Sequence, residues 1–317
     1  MIRNGAYDPA RLTRRGSGRL TIAGGVHRGD GGGCAELLNI THPKQVAAQH
    51  ERLLRSGARL IFTNTSGAAP QILDRYRMHD EAFAVSYLAA EIACRVARDA
   101  GEKGDRPMVI GDIRVPWHMP AHGYLTGAEI EESAASMTAA QITGGVDLIH
   151  LQATGFPGHM AAAFAGVRAG MGEAGRGVSI VVSVAGGAGV PGVGEVSSAH
   201  DLVAAAVLAH GLGAAALSID TRGDDEENSR CLSALAASVD APLFVTPGAS
   251  ERVAQRCLSN PAIGPRLAFV GADTPAQAWR LSRFAAPPHV GYSWPIAFNQ
   301  NDLLPSIPPA ARSGNAR

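Results

Sequence analysis

The sequence predicts an α/β fold, a single closed (β/α)8 TIM barrel of parallel strands covered by helices, and three observations predict it. Eight short apolar, β-branched runs recur along the chain, separated by Ala-rich stretches with helical patterning. The runs are apolar on both faces rather than alternating, as strands buried between two layers are. The turn after the first run, AGGVHRGDGGG (23–33), does not keep the GxGxxG spacing that leads directly into a helix, which disfavours an open doubly wound sheet.

The strands are expected, in order, at LTIAGG (20–25), RLIFTNT (59–65), PMVIGDI (107–113), VDLIHLQAT (146–154), VSIVVSVAG (178–186), AAALSIDT (214–221), APLFVTPG (241–248) and RLAFVGAD (266–273). Between the first two lies PKQVAAQHERLLRSG (43–57), a helix with proline at its start and glycine at its end. DEAFAVSYLAAEIACRVARDAG (80–101) follows the second strand, and SAHDLVAAAVLAHGLG (198–213), with Ser198 as N-cap, follows the fifth. Residues 1–19 form an N-terminal arm, 20–286 the barrel and 287–317 a proline- and glycine-rich extension and tail.

Lys+Arg and Asp+Glu number 28 each in 317 residues, so no global field draws the chain to nucleic acid or an anionic membrane. A small-molecule substrate is the expected ligand. Cys34, Cys94, Cys231 and Cys257 are widely spaced and form no CxxC pair, which fits a reducing compartment and a cytoplasmic location. No run is long and apolar enough to predict a membrane-spanning helix.

In a parallel barrel the active site lies at the C-terminal ends of the strands. Several predicted strands end in polar groups there: Thr63, Asn64 and Thr65 on the second, Asp112 on the third, His150 and Gln152 on the fourth, Asp220 and Thr221 on the sixth, Asp273 on the eighth. Such convergence predicts a binding site at the mouth.

The order of motifs resembles the homocysteine S-methyltransferase family. The resemblance rests on Gly24-Gly25, then on HPKQVAAQHERLLRSGARLIFTNT through Pro43, Val46, His50, Gly57, Thr63, Asn64 and Thr65, and further on HGYLTGAEIEES (122–133) and AQITGGVDLI (140–149). It implies the barrel and a methyl-transfer activity. It also implies a zinc ion held by three cysteines, which keeps a thiol acceptor as thiolate. The sequence departs from that pattern. Asp220-Thr221 stands where the family's first cysteine is expected, and Ala272-Asp273-Thr274 where the other two are. Ala23 replaces an acidic residue of the first turn, and Gln152-Ala153 replaces a Glu-Thr pair.

The expected enzyme is therefore a methyltransferase or demethylase without a three-cysteine zinc-thiolate mechanism and with no intrinsic cofactor. Tetrahydrofolate or a corrinoid, on a separate methyl-carrier protein, is the implied methyl carrier. Asp112, Asp220 and His150 are the expected catalytic groups. Thr63, Asn64, Thr65, Gln152, His118, His122, Thr221 and Asp273 are the expected substrate contacts, and the family's habit implies a homo-oligomer. One alternative is a metal-dependent hydrolase or lyase using His118, His122, Asp112, Asp220 and Asp273, although Pro120 separates the two histidines. Another is a non-catalytic assembly subunit. FVTPGAS (244–250) and FVGADTP (269–275) suggest a phosphate site at helix starts, and AGGAGVPGVGEV (185–196) a cover over the mouth.

Overall fold

The computed structural model describes residues 22–24 (backbone only), 34–101, 106–116, 118–119, 123–185, 199–220, 225–247, 249–272 and 274–281. The expected arm, the C-terminal extension, most of the glycine-rich loop, Ser198, His122, Thr221 and Asp273 lie outside the described residues.

Eight parallel strands close on themselves: β1 (Ile22–Gly24), β2 (Leu60–Phe62), β3 (Met108–Ile113), β4 (Leu148–Thr154), β5 (Ser179–Ala185), β6 (Ala216–Asp220), β7 (Leu243–Val245) and β8 (Leu267–Ala272). Each pairs with its neighbours in sequence, and β1 pairs with β8 through Ile22 and Val270, Ala23 and Gly271, and Gly24 and Ala272. A helix follows every strand: α1 (Pro43–Arg55), α2 (Ala82–Asp99), α3 (Gly127–Thr143), α4 (Pro157–Glu173), α5 (Ala199–Gly211), α6 (Asp225–Ser238), α7 (Glu251–Ser259) and α8 (Pro275–Leu281). An antiparallel two-residue ladder, His118–Met119 with Gly123–Tyr124, stands between β3 and α3.

Strand alternation divides the core in two. Leu60, Phe62, Ile110, Leu148, Val181, Ala216, Phe244 and Phe269 fill the barrel interior. Their neighbours Ile61, Val109, Ile149, Val182, Leu217 and Val270 face the helices in a larger outer core. Apolarity on both faces is why the strands read as unbroken runs.

The helices start where local chemistry lets them. Proline occupies the first turn of α1 and α4, where its missing N–H costs no hydrogen bond. Thr126 caps α3 in a reciprocal capping box with Glu129. Helices α3 and α4 pack so closely that a Cβ on Gly166 or Gly170 would lie 2.2 Å from Glu131 O or 2.3 Å from Ala135 O. At the N-terminal end of the barrel, Asp147 takes a two-pronged contact from Arg106 (2.9 and 2.5 Å) and accepts from Val109 N–H (2.8 Å), tying β3 to the chain entering β4.

Candidate active site

The site begins where β2 stops. Three residues remain strand, not seven, because Thr63, Asn64 and Thr65 direct their side chains into hydrogen bonds. Thr63 Oγ1 accepts from Asp112 N–H (3.0 Å), donates to Gln141 Oε1 (2.9 Å) and lies 2.7 Å from Thr65 Oγ1. Thr65 Oγ1 donates to Asp112 O at 2.6 Å, and Gln141 Nε2 reaches the same carbonyl at 3.1 Å. Gln141 belongs to α3 and enters the sheet above Gly111. A Cβ there would sit 2.6 Å from its Oε1. These groups lock the backbone of Asp112.

Asn64 braces a second loop. Its Nδ2 donates to Ala35 O (2.8 Å) and Asn39 Oδ1 (3.1 Å), while Asn39 Nδ2 donates back to Asn64 O (2.9 Å). Gly67 N–H donates to Glu36 Oε1 at 2.7 Å. The strand-two motif thus fixes the position of its neighbours, and its side-chain hydrogen bonds run into the protein frame.

Asp112 then anchors a polar chain across the barrel. Ser66 Oγ donates to Asp112 Oδ2 at 2.5 Å, and His150 Nδ1 donates to Asp112 Oδ1 at 2.6 Å. On the far side of the ring, His150 Nε2 lies 2.8 Å from Ser183 Oγ. Asp112, His150 and Ser183 are 8%, 5% and 0% exposed, so this chain is shielded from water. Burial alone would push the Asp112 carboxyl up, but the His150 and Ser66 hydrogen bonds and the nearby Arg114 charge outweigh it and hold it below the usual carboxylate range.

An ionised carboxylate only accepts, so Nδ1 carries the hydrogen. In the neutral ring Nε2 is then an acceptor, and the Ser183 hydroxyl donates to it. The rings of Phe62 and Phe244 meet the imidazole edge-on, with centroids 5.4 and 5.8 Å away, and fix its plane. The arrangement holds a base between a fixed anion and a hydroxyl.

Of the other expected residues, Gln152 is half-buried and in register with Ser183, which is in register with Ser218. Asp220 ends β6 opposite Ala185. His118 lies on the small ladder, its ring 4.9 Å from that of Tyr124. Sequence reasoning passed over Ser66, Gln141, Ser183 and Ser218. A signal for Ser183 existed: in VSIVVSVAG the inward parity that places Val181 in the interior also places Ser183 there, beside the fourth-strand polar cluster.

Two of the positions at which the resemblance implies zinc ligands, Thr221 and Asp273, lie outside the described residues. Among the described residues no group of three His, Cys, Asp or Glu side chains could hold a metal ion. Cys94, Cys231 and Cys257 lie buried in α2, α6 and α7, and Cys34 follows β1. Burial pushes the Cys94 and Cys257 thiols up to about 12, and burial with the Glu36 carboxylate pushes Cys34 up to about 11, which disfavours thiolate ligands. The two helix starts suggested for phosphate are already capped from within: Ser250 Oγ accepts from Val253 N–H (3.2 Å) and Thr274 Oγ1 from Gln277 N–H (3.1 Å).

Comparison with known proteins agrees with this architecture. The homocysteine methyltransferase MmuM from Escherichia coli, in its oxidized form, superposes with a TM-score of 0.64 at 17% identity, over 86% of this chain and 98% of that one. The carboxyl transferase domain of Rhizobium etli pyruvate carboxylase reaches 0.53 at 12% identity, over 91% of this chain and 48% of the other, and shares the fold alone. Among sequences, the methionine synthases of Mycobacterium leprae and Mycobacterium tuberculosis are each 26% identical, over 254 and 217 residues. The match takes in 80% and 68% of this chain but only about a fifth of those proteins (20% and 18%). The family model described as homocysteine S-methyltransferase matches residues 10–255, and the chain belongs to that family.

Proposed function

We propose that the barrel transfers a methyl group to or from a small metabolite docked at the C-terminal mouth, without a three-cysteine zinc-thiolate. One observation carries the reading. On a barrel of a methyltransferase family, a continuous chain from Ser66 through Asp112 and His150 to Ser183 crosses the lumen near the C-terminal ends of β3 to β5. Asp112 and His150 are its ionisable core. Gln152 and Asp220 stand on the same lumenal side, and they contribute to substrate orientation together with Thr221 and Asp273, which follow β6 and β8 in sequence.

The methyl carrier in this reading is tetrahydrofolate or a corrinoid, brought by a separate protein or domain. The barrel works in the cytoplasm as a homo-oligomer. Among the described residues no helix is long and apolar enough to cross a membrane.

The test combines composition with activity. Protein purified without chelators or a metal-binding tag is analysed for zinc, cobalt, manganese and iron, then assayed for methyl transfer from methyl-folate and methyl-corrinoid donors to thiol, hydroxyl and amine acceptors. Turnover that survives chelation is expected. Stoichiometric zinc whose removal abolishes turnover would overturn the reading.

A further inference from the structure

We propose that Ser183, His150 and Asp112 form a proton relay in which the Ser183 hydroxyl takes the proton of the methyl acceptor and passes its own to His150. The proposal rests on the methyl-transfer reading and deepens it by naming the acceptor class: a small molecule whose accepting atom is a thiol, hydroxyl or amine that still carries its hydrogen. Such an atom must lose a proton when it is alkylated. A family barrel whose mouth lacks the expected cysteines needs another group to receive it.

The geometry supplies each link. The Ser183 hydroxyl has His150 Nε2 at 2.8 Å, and His150 Nδ1 has Asp112 Oδ1 at 2.6 Å. Nucleophile-to-base and base-to-orienting-group contacts at such distances are what general-base chemistry requires. Ser183 is itself fully buried. It therefore exchanges protons only with a group seated against it, over Ala185 and beside half-buried Gln152 on the lumenal side. Next to it in register, Ser218 Oγ is buried and without a hydrogen-bond partner among the described residues. A buried hydroxyl left unpaired costs free energy unless something else completes it. An acceptor heteroatom between Ser183 and Ser218 would do so.

The step balances. As the acceptor atom forms its bond to the methyl carbon, its hydrogen moves to Ser183 Oγ and the Ser183 hydrogen moves to His150 Nε2. The bond from methyl to donor breaks with its electron pair left on the donor. The imidazolium formed is held by ionised Asp112, and its proton leaves back through the Ser183 hydroxyl once water has replaced the product against it. Among the described residues Asp112 from β3 is the charged group in contact with His150, Arg114 acts on Asp112, and Asp220 lies two residues beyond Ser218 on β6. β2 and β7 present the rings of Phe62 and Phe244 to it. Ser183, in contact with the acceptor, is the catalytic group in this scheme, His150 receives its proton, and Asp112 is a positioning residue.

The experiment measures the pH dependence of kcat and KM for Ser183→Ala, Ser183→Thr and the unaltered enzyme, together with the proton NMR signal of His150 Nδ1–H. Loss of general-base assistance is expected to lower kcat of Ser183→Ala by roughly 10²-fold or more. KM should change little, the acid limb of the profile should move, and Ser183→Thr, which keeps the hydroxyl, should recover most of the rate. An Ala variant with the unaltered kcat and the same acid limb would overturn the relay. If Ser183→Ala does not fold, Ser183→Gly takes its place under the same criteria. If the unaltered protein transfers no methyl group to any acceptor, the methyl-transfer reading fails by itself. The relay is then judged by NMR, where a far-downfield Nδ1 proton that shifts on substituting Ser183 is expected, and its absence or indifference sinks the idea.

Discussion

Asp112 has two separate attachments. Its backbone N–H and carbonyl are held by Thr63, Thr65 and Gln141, while its carboxylate meets Ser66 and His150. Frame and chemistry therefore separate within one residue. Asp112→Asn keeps the shape and the backbone contacts but removes the charge that fixes the imidazole hydrogen on Nδ1. Turnover should fall by about 10²-fold. The melting temperature should move by only a few degrees, because the backbone clamp remains; full activity in the variant would remove Asp112 from the mechanism. At this scale the sequence showed Asp112 and His150 through their places at apolar strand ends, but Gln141 was illegible. It looks like an ordinary helix position in AQITGG, and only the absence of a side chain at Gly111 lets it reach the sheet.

All eight strands were legible as elements, because each reads as a short apolar run and is followed by a helix. Their ends were less so. The second was expected over 59–65 but pairs as strand only over Leu60–Phe62, since its threonines take hydroxyl bonds that a plain ladder would not supply. Helix contacts allow a sharper forecast. Gly170→Val places a side chain against Ala135 O across the α3 and α4 interface, and such overpacking costs about 1–3 kcal/mol or more. Thr126→Ala removes only the α3 cap and costs about 1 kcal/mol. Urea denaturation of both variants should rank Gly170→Val as clearly the less stable. The reverse order would mean that the helices can separate without penalty.

At the scale of the whole molecule, acid sensitivity follows from His50. It is fully buried in α1, neither ring nitrogen has a hydrogen-bond partner among the described residues, and burial lowers it to about 4. The unfolded chain binds a proton there below its ordinary 6.5, the folded chain only near 4. The stability contribution is thus complete above 6.5 and is lost as pH falls through that window, by roughly 3 kcal/mol in all. Asp112, held below the usual carboxylate range, adds a further loss at still lower pH. Unfolding free energies measured from about pH 7 to about pH 4 should show the decline, and His50→Leu should flatten it; an unchanged slope in that variant would place the sensitivity elsewhere. The family motif marked His50 by position, yet nothing in the sequence revealed that its ring lacks partners, because that depends on what three dimensions pack around α1.

Closure of the barrel by β1 and β8 carries a consequence for synthesis. Ile22–Gly24 and Leu267–Ala272 meet across roughly 250 residues of chain, among the most distant pairings the sequence allows. Contacts of that span form late, since a long loop must be closed before they are gained. Until β8 leaves the ribosome, β1 and β7 each present a bare strand edge, the feature by which nascent chains pair with one another. The growing polypeptide is therefore most vulnerable to aggregation just before β8 appears, and slower elongation over that stretch would lengthen the exposure.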